Sequence, residues 1–423
     1  MVSLPTSQPT PEQIALMAQE NQRRQNRQFM ALSANKEVLC QQANGGANSQ
    51  SFVAGSPLTY LVTNANNGFL TGFWVRCSLT ATLAAGAAAV YGQTASSPLS
   101  LIDSIQVTYG GVQHDFRPYV LKYLTQLRGS NKQIIPRQVV AGQQDTYLQS
   151  YYSSGPFTNA SGANTYNFAF YVPMNFLHPQ DVRGILPIQY GETTCQVVVN
   201  CAGAPFGTDP ILNTFYNISG TGHSVAVTGT IAVISTYKDG QSFSQLAALQ
   251  PNLSGINTIQ ILRDTPLNNV SSGQVYRNKV SFLTQIPWLL VTVVDGLRSD
   301  VYCATSNLAL VDTTADQAGF RVFWRYGLNT NMDVREFYSD LSGKFGGWLQ
   351  QDLDEGILPI VTGPIYEQAS PDNLEGSHYL NTSVNGGWSD FHYGVQLTSV
   401  GSLANPGPRL EATVVSVAPP LVM

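Results

Sequence analysis

"GFLTGFWVRCSLTATL", residues 68–83, decides the fold. Apolar and aromatic residues run together at its start and then alternate with Thr and Ser, the pattern of a buried strand. Its core, Phe69-Leu70-Thr71, returns as Phe282-Leu283-Thr284 inside "KVSFLTQIPWLLVTVV", 213 positions later. Two more landmarks recur in the same order. Tyr109-Gly110 and Tyr326-Gly327 are 217 apart, and Asp115/Arg117 and Asp333/Arg335 are 218 apart. Each Tyr-Gly ends a strand pattern, and each Asp-x-Arg stands at the entrance of a short predicted helix. The first, "PYVLKYLTQLRG", starts at Pro118 and stops at Gly129; the second, "DVREFYSDLSG", has Asp333 as cap, Glu336 three residues on, and Gly343 as its stop. A tripeptide recurs easily by chance, but agreement of order, spacing and local structure does not. The chain therefore reads as two copies of one β-domain. "GILPI" also occurs twice, at 184–188 and 356–360. Its spacing does not fit the period, so it is discounted unless the second copy has a shorter loop.

Length agrees with duplication, because 423 residues exceed one ordinary core and suggest two domains of roughly 200 residues each. Outward from the opening stretch, short apolar or alternating runs such as "LTYLVT", "LIDSIQVTYG", "CQVVVN", "NTIQIL", "FRVFWRYG" and "LEATVVSV" are separated by Gly, Asn, Pro and Ser. Many short strands with turn signals between them predict an all-β sandwich or barrel. Before the strands, Thr10-Pro11-Glu12-Gln13 opens a helix as cap, first-turn Pro and capping-box Gln, running to about residue 34. Its apolar residues cluster at the two ends (Ile14, Leu16, Met17; Phe29, Met30, Leu32) around a polar middle, which predicts an arm docking at both ends. The expected division is an arm over 1–44, a first β-domain over 45–243 and a second over 244–423, with the seam in "DGQSFSQLAALQPNLSG" at 239–255. A long Tyr/Ser/Gly/Asn loop region at 139–166 has the length of a functional loop.

Composition narrows the function. Charged residues make up 11% of the chain, against roughly 25% in an average soluble domain. A neutral polar surface does little to hold copies apart, so extensive self-association is the natural inference. A net charge of −5 with no long basic run argues against nucleic-acid binding as the main task. The five cysteines (Cys40, Cys77, Cys195, Cys201, Cys303) are odd in number and irregularly spaced, which is no disulfide framework and fits folding in a reducing compartment. A single Cys195–Cys201 bridge stays open on this reading. No apolar stretch nears the roughly 20 residues that span a bilayer. The N-terminus lacks the basic and apolar regions of a signal peptide, so synthesis and folding in cytosol are expected.

Chemistry is sparse. The five histidines (His114, His178, His223, His378, His392) are isolated from other ligands, and no HExxH or C-x-x-C pair is present. Each is read as a satisfied or exposed side chain, and neither a metal nor a cofactor is expected. There is no G-x-S-x-G elbow and no phosphate loop. "QDLDEG", with Asp352, Asp354 and Glu355, reads as a solvated turn ahead of a Ca²⁺ site or a glycosidase carboxylate pair. Arg23, Arg24, Arg27 and Lys36 form the one basic cluster, read either as a solvated helix face or as a contact with an anionic membrane surface or with a neighbouring subunit. Aromatics in "LQSYYSSG" and "GGWSDFHYG" motivate an alternative function, a glycan-binding or receptor-binding β-sandwich. A glycoside hydrolase using Asp352, Asp354 or Glu355 is the third.

With these residues in view, the sequence resembles the major capsid proteins of tectivirus-like, lipid-containing bacteriophages, the double jelly roll family that also takes in adenovirus hexon. The likeness is carried by the Gln-rich helix running through "RQFMALSANKEVLCQQ", by "NNGFLTGFWVRCSLTATL", by "FAFYVPMNFLHPQDVRGILP" and by "PRLEATVVSV". It covers most of residues 20–240 and is thinner afterwards. The resemblance implies two tandem eight-stranded jelly rolls, three copies of which form a homotrimer with a pseudo-hexagonal footprint that tiles an icosahedral virion. It implies partners that are further trimers, minor capsid and vertex proteins, and an internal membrane facing the N-terminal helix. It implies no enzyme and no direct nucleic-acid contact.

Overall fold

The computed structural model describes residues 10–43, 45–62, 68–84, 90–93, 102–109, 112–117, 137–140, 146–147, 162–174, 185, 195–202, 216–219 and 224–239. From there to residue 420 it describes the strands. Helix α1 (Pro11–Leu32) opens as expected: the Thr10 hydroxyl accepts from the Gln13 backbone N–H, and the Gln13 side chain accepts from the Thr10 N–H at 3.0 Å. It closes where Ser33 N–H donates to Phe29 O and Lys238 Nζ donates to Ser33 O at 3.2 Å.

The first set of strands is β1 (Ala34–Leu39), β2 (Gln41–Gln42), β3 (Ser49–Ser51), β4 (Pro57–Val62), β5 (Gly68–Ala84), β6 (Val90–Gln93), β7 (Ile102–Tyr109), β8 (Val112–Phe116), β9 (Arg137–Val140), β10 (Thr146–Tyr147), β11 (Gly162–Pro173), β12 (Cys195–Cys201), β13 (Tyr216–Ser219) and β14 (Ser224–Asp239). The second set is β15 (Asn257–Arg263), β16 (Val275–Lys279), β17 (Gln285–Ile286), β18 (Leu289–Asp295), β19 (Phe320–Tyr326), β20 (Asn331–Asp333), β21 (Ile357–Val361), β22 (Leu380–Asn381), β23 (Phe391–Leu397) and β24 (Arg409–Pro420).

Both sets pair in one pattern. In the first, one sheet runs β1-β14-β5-β11 and continues into β9 and β10, while the other runs β4-β12-β7-β8 with β2 on the outer edge of β4. In the second, the sheets run β15-β24-β18-β21 and β16-β23-β19-β20. Naming the eight principal strands of each set B to I in chain order gives B-I-D-G and C-H-E-F twice, all antiparallel, which is the jelly roll connectivity. Among the described residues no strand pair joins positions up to 239 to positions from 257.

Two of the three sequence landmarks fall on equivalent strands. Tyr109 ends strand E of the first roll (β7) and Tyr326 ends strand E of the second (β19). Asp115 lies in strand F (β8), and Asp333 ends its counterpart β20. Phe69-Leu70-Thr71 lies in strand D (β5); its second copy falls outside the described residues, just ahead of the second strand D, β18. The two "GILPI" copies are not equivalent. Residues 357–361 are strand G of the second roll, whereas Ile185 follows strand G of the first and is buried beside α1. The predicted helices at 118–129 and 333–343 lie outside the described residues beyond Asp333 itself.

The first roll's core lies between its two sheets. Burial alternates along β4 and β12, so Val62, Tyr60 and Leu58 face Cys195, Val197 and Val199 across neighbouring strands, with Cys201 buried at the end of β12. From the other sheet come Phe69, Phe73, Val75, Cys77 and Leu79 of β5 with Ile231 and Val233 of β14. Tyr60 is fully buried, and its hydroxyl donates to Ile231 O of the facing sheet at 2.6 Å, which ties the two layers. Gly229 of β14 has φ +137, and a Cβ there would run into Ser78 O of β5.

Within the stretch 1–44 expected to form the arm, residues 34–39 pair with β14 along the whole of β1 and are strand B of the first roll, because the chain leaves the helix at Ser33 and turns directly into the sheet. The arm docks at one end only. Phe29 and Met30 are buried against Phe69 and Ile185, while Ile14, Leu16 and Met17 are more than half exposed.

Candidate assembly surfaces

Four free thiols sit in the core of the first roll: Cys40, Cys77, Cys195 and Cys201. Burial pushes Cys40 and Cys201 up to about 11 and raises Cys77 and Cys195 well above the usual thiol range, so all four stay protonated and act as small apolar side chains. The Cys195–Cys201 bridge is excluded. The two residues are the ends of one seven-residue strand, roughly 20 Å apart at strand rise, where a disulfide needs Cα atoms within about 7 Å.

Among the described residues no three His, Cys, Asp or Glu side chains come together as a metal site. Asp352, Asp354 and Glu355 lie outside the described residues, as do His178, His223, His378 and the aromatic loop at 148–155. His392 is in β23, across from Lys279 and Arg325.

The basic cluster divides between two elements. Arg23, Arg24 and Arg27 lie on α1, and Lys36 lies on β1. Arg24 pairs with Glu20 one turn back at 3.1 Å, an exposed contact worth a few tenths of a kcal/mol. Arg27 is half-buried and Lys36 is exposed. Among the described residues no helix is long and apolar enough to cross a membrane. Among the described residues the exposed large apolar side chains are instead Ile14, Leu16, Met17 and Leu32 of α1, with Leu39 of β1 and Val53.

A second surface is already occupied, and its residues were missed in the sequence. The outer edge of β15 meets β8, strand F of the first roll. Ile261 N–H donates to His114 Nδ1 at 3.3 Å, and the Gln260 side-chain amide donates to Gln113 O. At one end Asp103 of β7 takes a guanidinium from each roll, Arg117 on one carboxylate oxygen at 2.8 Å and Arg263 on the other at 3.4 Å. His114 is buried, and desolvation lowers its pKa to about 4, so it stays neutral and keeps an acceptor nitrogen for Ile261. The isolated histidine expected to be satisfied is thus satisfied by the other roll. The signal in the sequence was the Asp-x-Arg landmark around it, read there only as a repeat.

No protein-family model matches the sequence, and comparison with curated proteins finds no match. Solved structures do match in shape. The Faustovirus major capsid protein superposes with a TM-score of 0.52 at 9% identity, covering 98% of this chain and 100% of that one. A quasi-atomic model of the PBCV-1 virus capsid gives a TM-score of 0.51 at 13% identity, covering 91% of this chain and 93% of that one. At such identities the likeness speaks for fold, and it agrees with strand order found twice within the chain. The protein is a double jelly roll, the fold of these two capsid structures.

Proposed function

We propose that this protein is the major subunit of an icosahedral virus shell, trimerising into capsomers with a pseudo-hexagonal outline. One observation carries the reading: the same eight-strand roll occurs twice in one chain, B-I-D-G over C-H-E-F in each copy. Two similar rolls per chain and three chains per capsomer give six similar corners, which tile a near-hexagonal net from a single gene product. The low charge fits subunits pressed edge to edge, and the two matched structures are capsid proteins by their descriptions.

The finer parts of the proposal follow from this. We put the domain boundary at 243/244, in the stretch between β14 and β15, and confine the arm to the residues before β1. Neighbouring trimers, minor capsid and vertex proteins, and an internal membrane facing α1 are the partners, with the exposed Ile14, Leu16 and Met17 available for the last contacts. The chain folds in the host cytoplasm and works as a structural protein without catalysis.

Size-exclusion chromatography with light scattering tests the core claim. A species near three times 45.8 kDa is expected; a monomer that never associates at any concentration would overturn it.

A further inference from the structure

The stretch "QQANGGANSQ" at 41–50, which joins β2 to β3, holds the dipeptide Asn44-Gly45. In an Asn-Gly pair the backbone nitrogen of the glycine can reach the asparagine side-chain carbonyl carbon, because glycine has no Cβ to hinder the approach. Three such pairs occur in the chain: Asn44-Gly45, Asn67-Gly68 and Asn385-Gly386. Asn385-Gly386 lies outside the described residues, as do Asn44 and Asn67 themselves; Gly45 and Gly68, which carry the attacking nitrogens, are described. The structure treats those two glycines in opposite ways. Gly45 is exposed, at φ +72, with open space where a Cβ would stand. Its N–H donates to Gln42 O at 3.1 Å within the turn. Gly68 is buried as the first residue of β5, across from Asp239 of β14.

We infer that Asn44 is a site of spontaneous deamidation, with water as the co-reactant. The Gly45 nitrogen gives up its proton and bonds to Cγ of Asn44, the Cγ–Nδ2 bond breaks, and the amide group leaves with that proton as ammonia. A succinimide ring is left, and water opens it at either carbonyl to give aspartate or isoaspartate. No electrons change hands. The bond from Gly45 to Gln42 has to open first, which in an exposed turn takes only local fraying. The turn stays clasped meanwhile, since Ala43 N–H donates to Thr59 O at 3.2 Å and the Gln42 side-chain amide donates to Ser49 O at 2.9 Å. Reaction at Asn67 instead requires the end of β5 to leave its ladder with β14, next to Phe69, whose ring is packed against Phe29 of α1. Both pairs share one chemistry, so the fold alone sets their rates apart. Each conversion at Asn44 adds a negative charge to a surface poor in charge.

The test uses full-length protein held in mildly alkaline buffer, one series folded and one in guanidinium chloride. Samples taken over time are digested with chymotrypsin, which cuts after Phe52 and Tyr60 and so puts Asn44 and Asn67 on separate peptides. Mass spectrometry with fragmentation reads the fraction of each asparagine converted to acid. In the denatured series the two convert at similar rates. In the folded series Asn44 is expected to convert at least about tenfold faster than Asn67. Asn44→Gln, whose longer side chain closes a ring far more slowly, should remove the conversion at that position and leave the circular dichroism unchanged. Equal rates at the two sites in the folded protein, a faster Asn67, or an Asn44 that converts only when denatured would overturn the inference.

Discussion

Arg263 of the second roll reaches Asp103 of the first at 3.4 Å, on the carboxylate oxygen that Arg117 leaves open. One half-exposed carboxylate therefore neutralises a nearly buried guanidinium of its own roll and pins a second from the neighbouring roll. Asp103→Asn removes both charge pairings at once. A loss of about 2 kcal/mol is expected, at the level of hydrogen bonds to charged groups and discounted for the exposure of Asp103. Urea unfolding measures it; a midpoint equal to wild type would show that the joint does not depend on this carboxylate.

His114 makes the joint sensitive to acid. Its pKa is lowered to about 4 from 6.5, so the unfolded chain binds the proton more readily than the folded one between those values. The contribution is fully present above about pH 6.5 and is lost as pH falls through 4, to a limit of about 3 kcal/mol. Protonated Nδ1 also becomes a donor facing the Ile261 N–H, so the hydrogen bond between rolls fails in the same window. Asp103, Asp115, Arg117 and Arg263 are the other charged groups at this joint. His114→Asn keeps an acceptor and all four charges but cannot titrate. Thermal melts from pH 7 to 3.5 should show a steeper decline for wild type than for this variant.

Phe29 docks the arm. Its ring meets Phe69 edge-to-face with centroids 5.1 Å apart, and both are essentially fully buried. Phe29→Ala should cost about 3 kcal/mol if the helix stays bound, or release the helix at lower cost. Limited proteolysis separates the two, because a released helix is cut between residues 11 and 33. Truncation before residue 25 should leave this contact and the roll intact, whereas a cut at residue 40 removes strand B.

Gly229 admits no side chain. Its φ of +137 is costly for any L-residue, and a Cβ would collide with Ser78 O in the neighbouring strand. Gly229→Ala should destabilise the first roll by about 2–4 kcal/mol. A melting temperature within a degree of wild type would contradict the close approach of β14 to β5.

Sequence alone determined the repeat, the all-β class and the start of α1, because strand periodicity, turn residues and capping are local properties. Phe69-Leu70-Thr71, Tyr109 and Asp115 mark strands D, E and F of one roll by their own neighbours in the chain, and a copied domain repeats those neighbours. Thr10 and Gln13 cap a helix through contacts three residues apart. Tertiary structure decided what depends on partners far along the chain. Residues 34–39 look like the tail of an arm until β14, some 200 residues later, supplies their hydrogen bonds. His114 looks isolated until Ile261 arrives from the other roll. Whether an edge is bare or covered is a property of two strands, so no single stretch of sequence contains it.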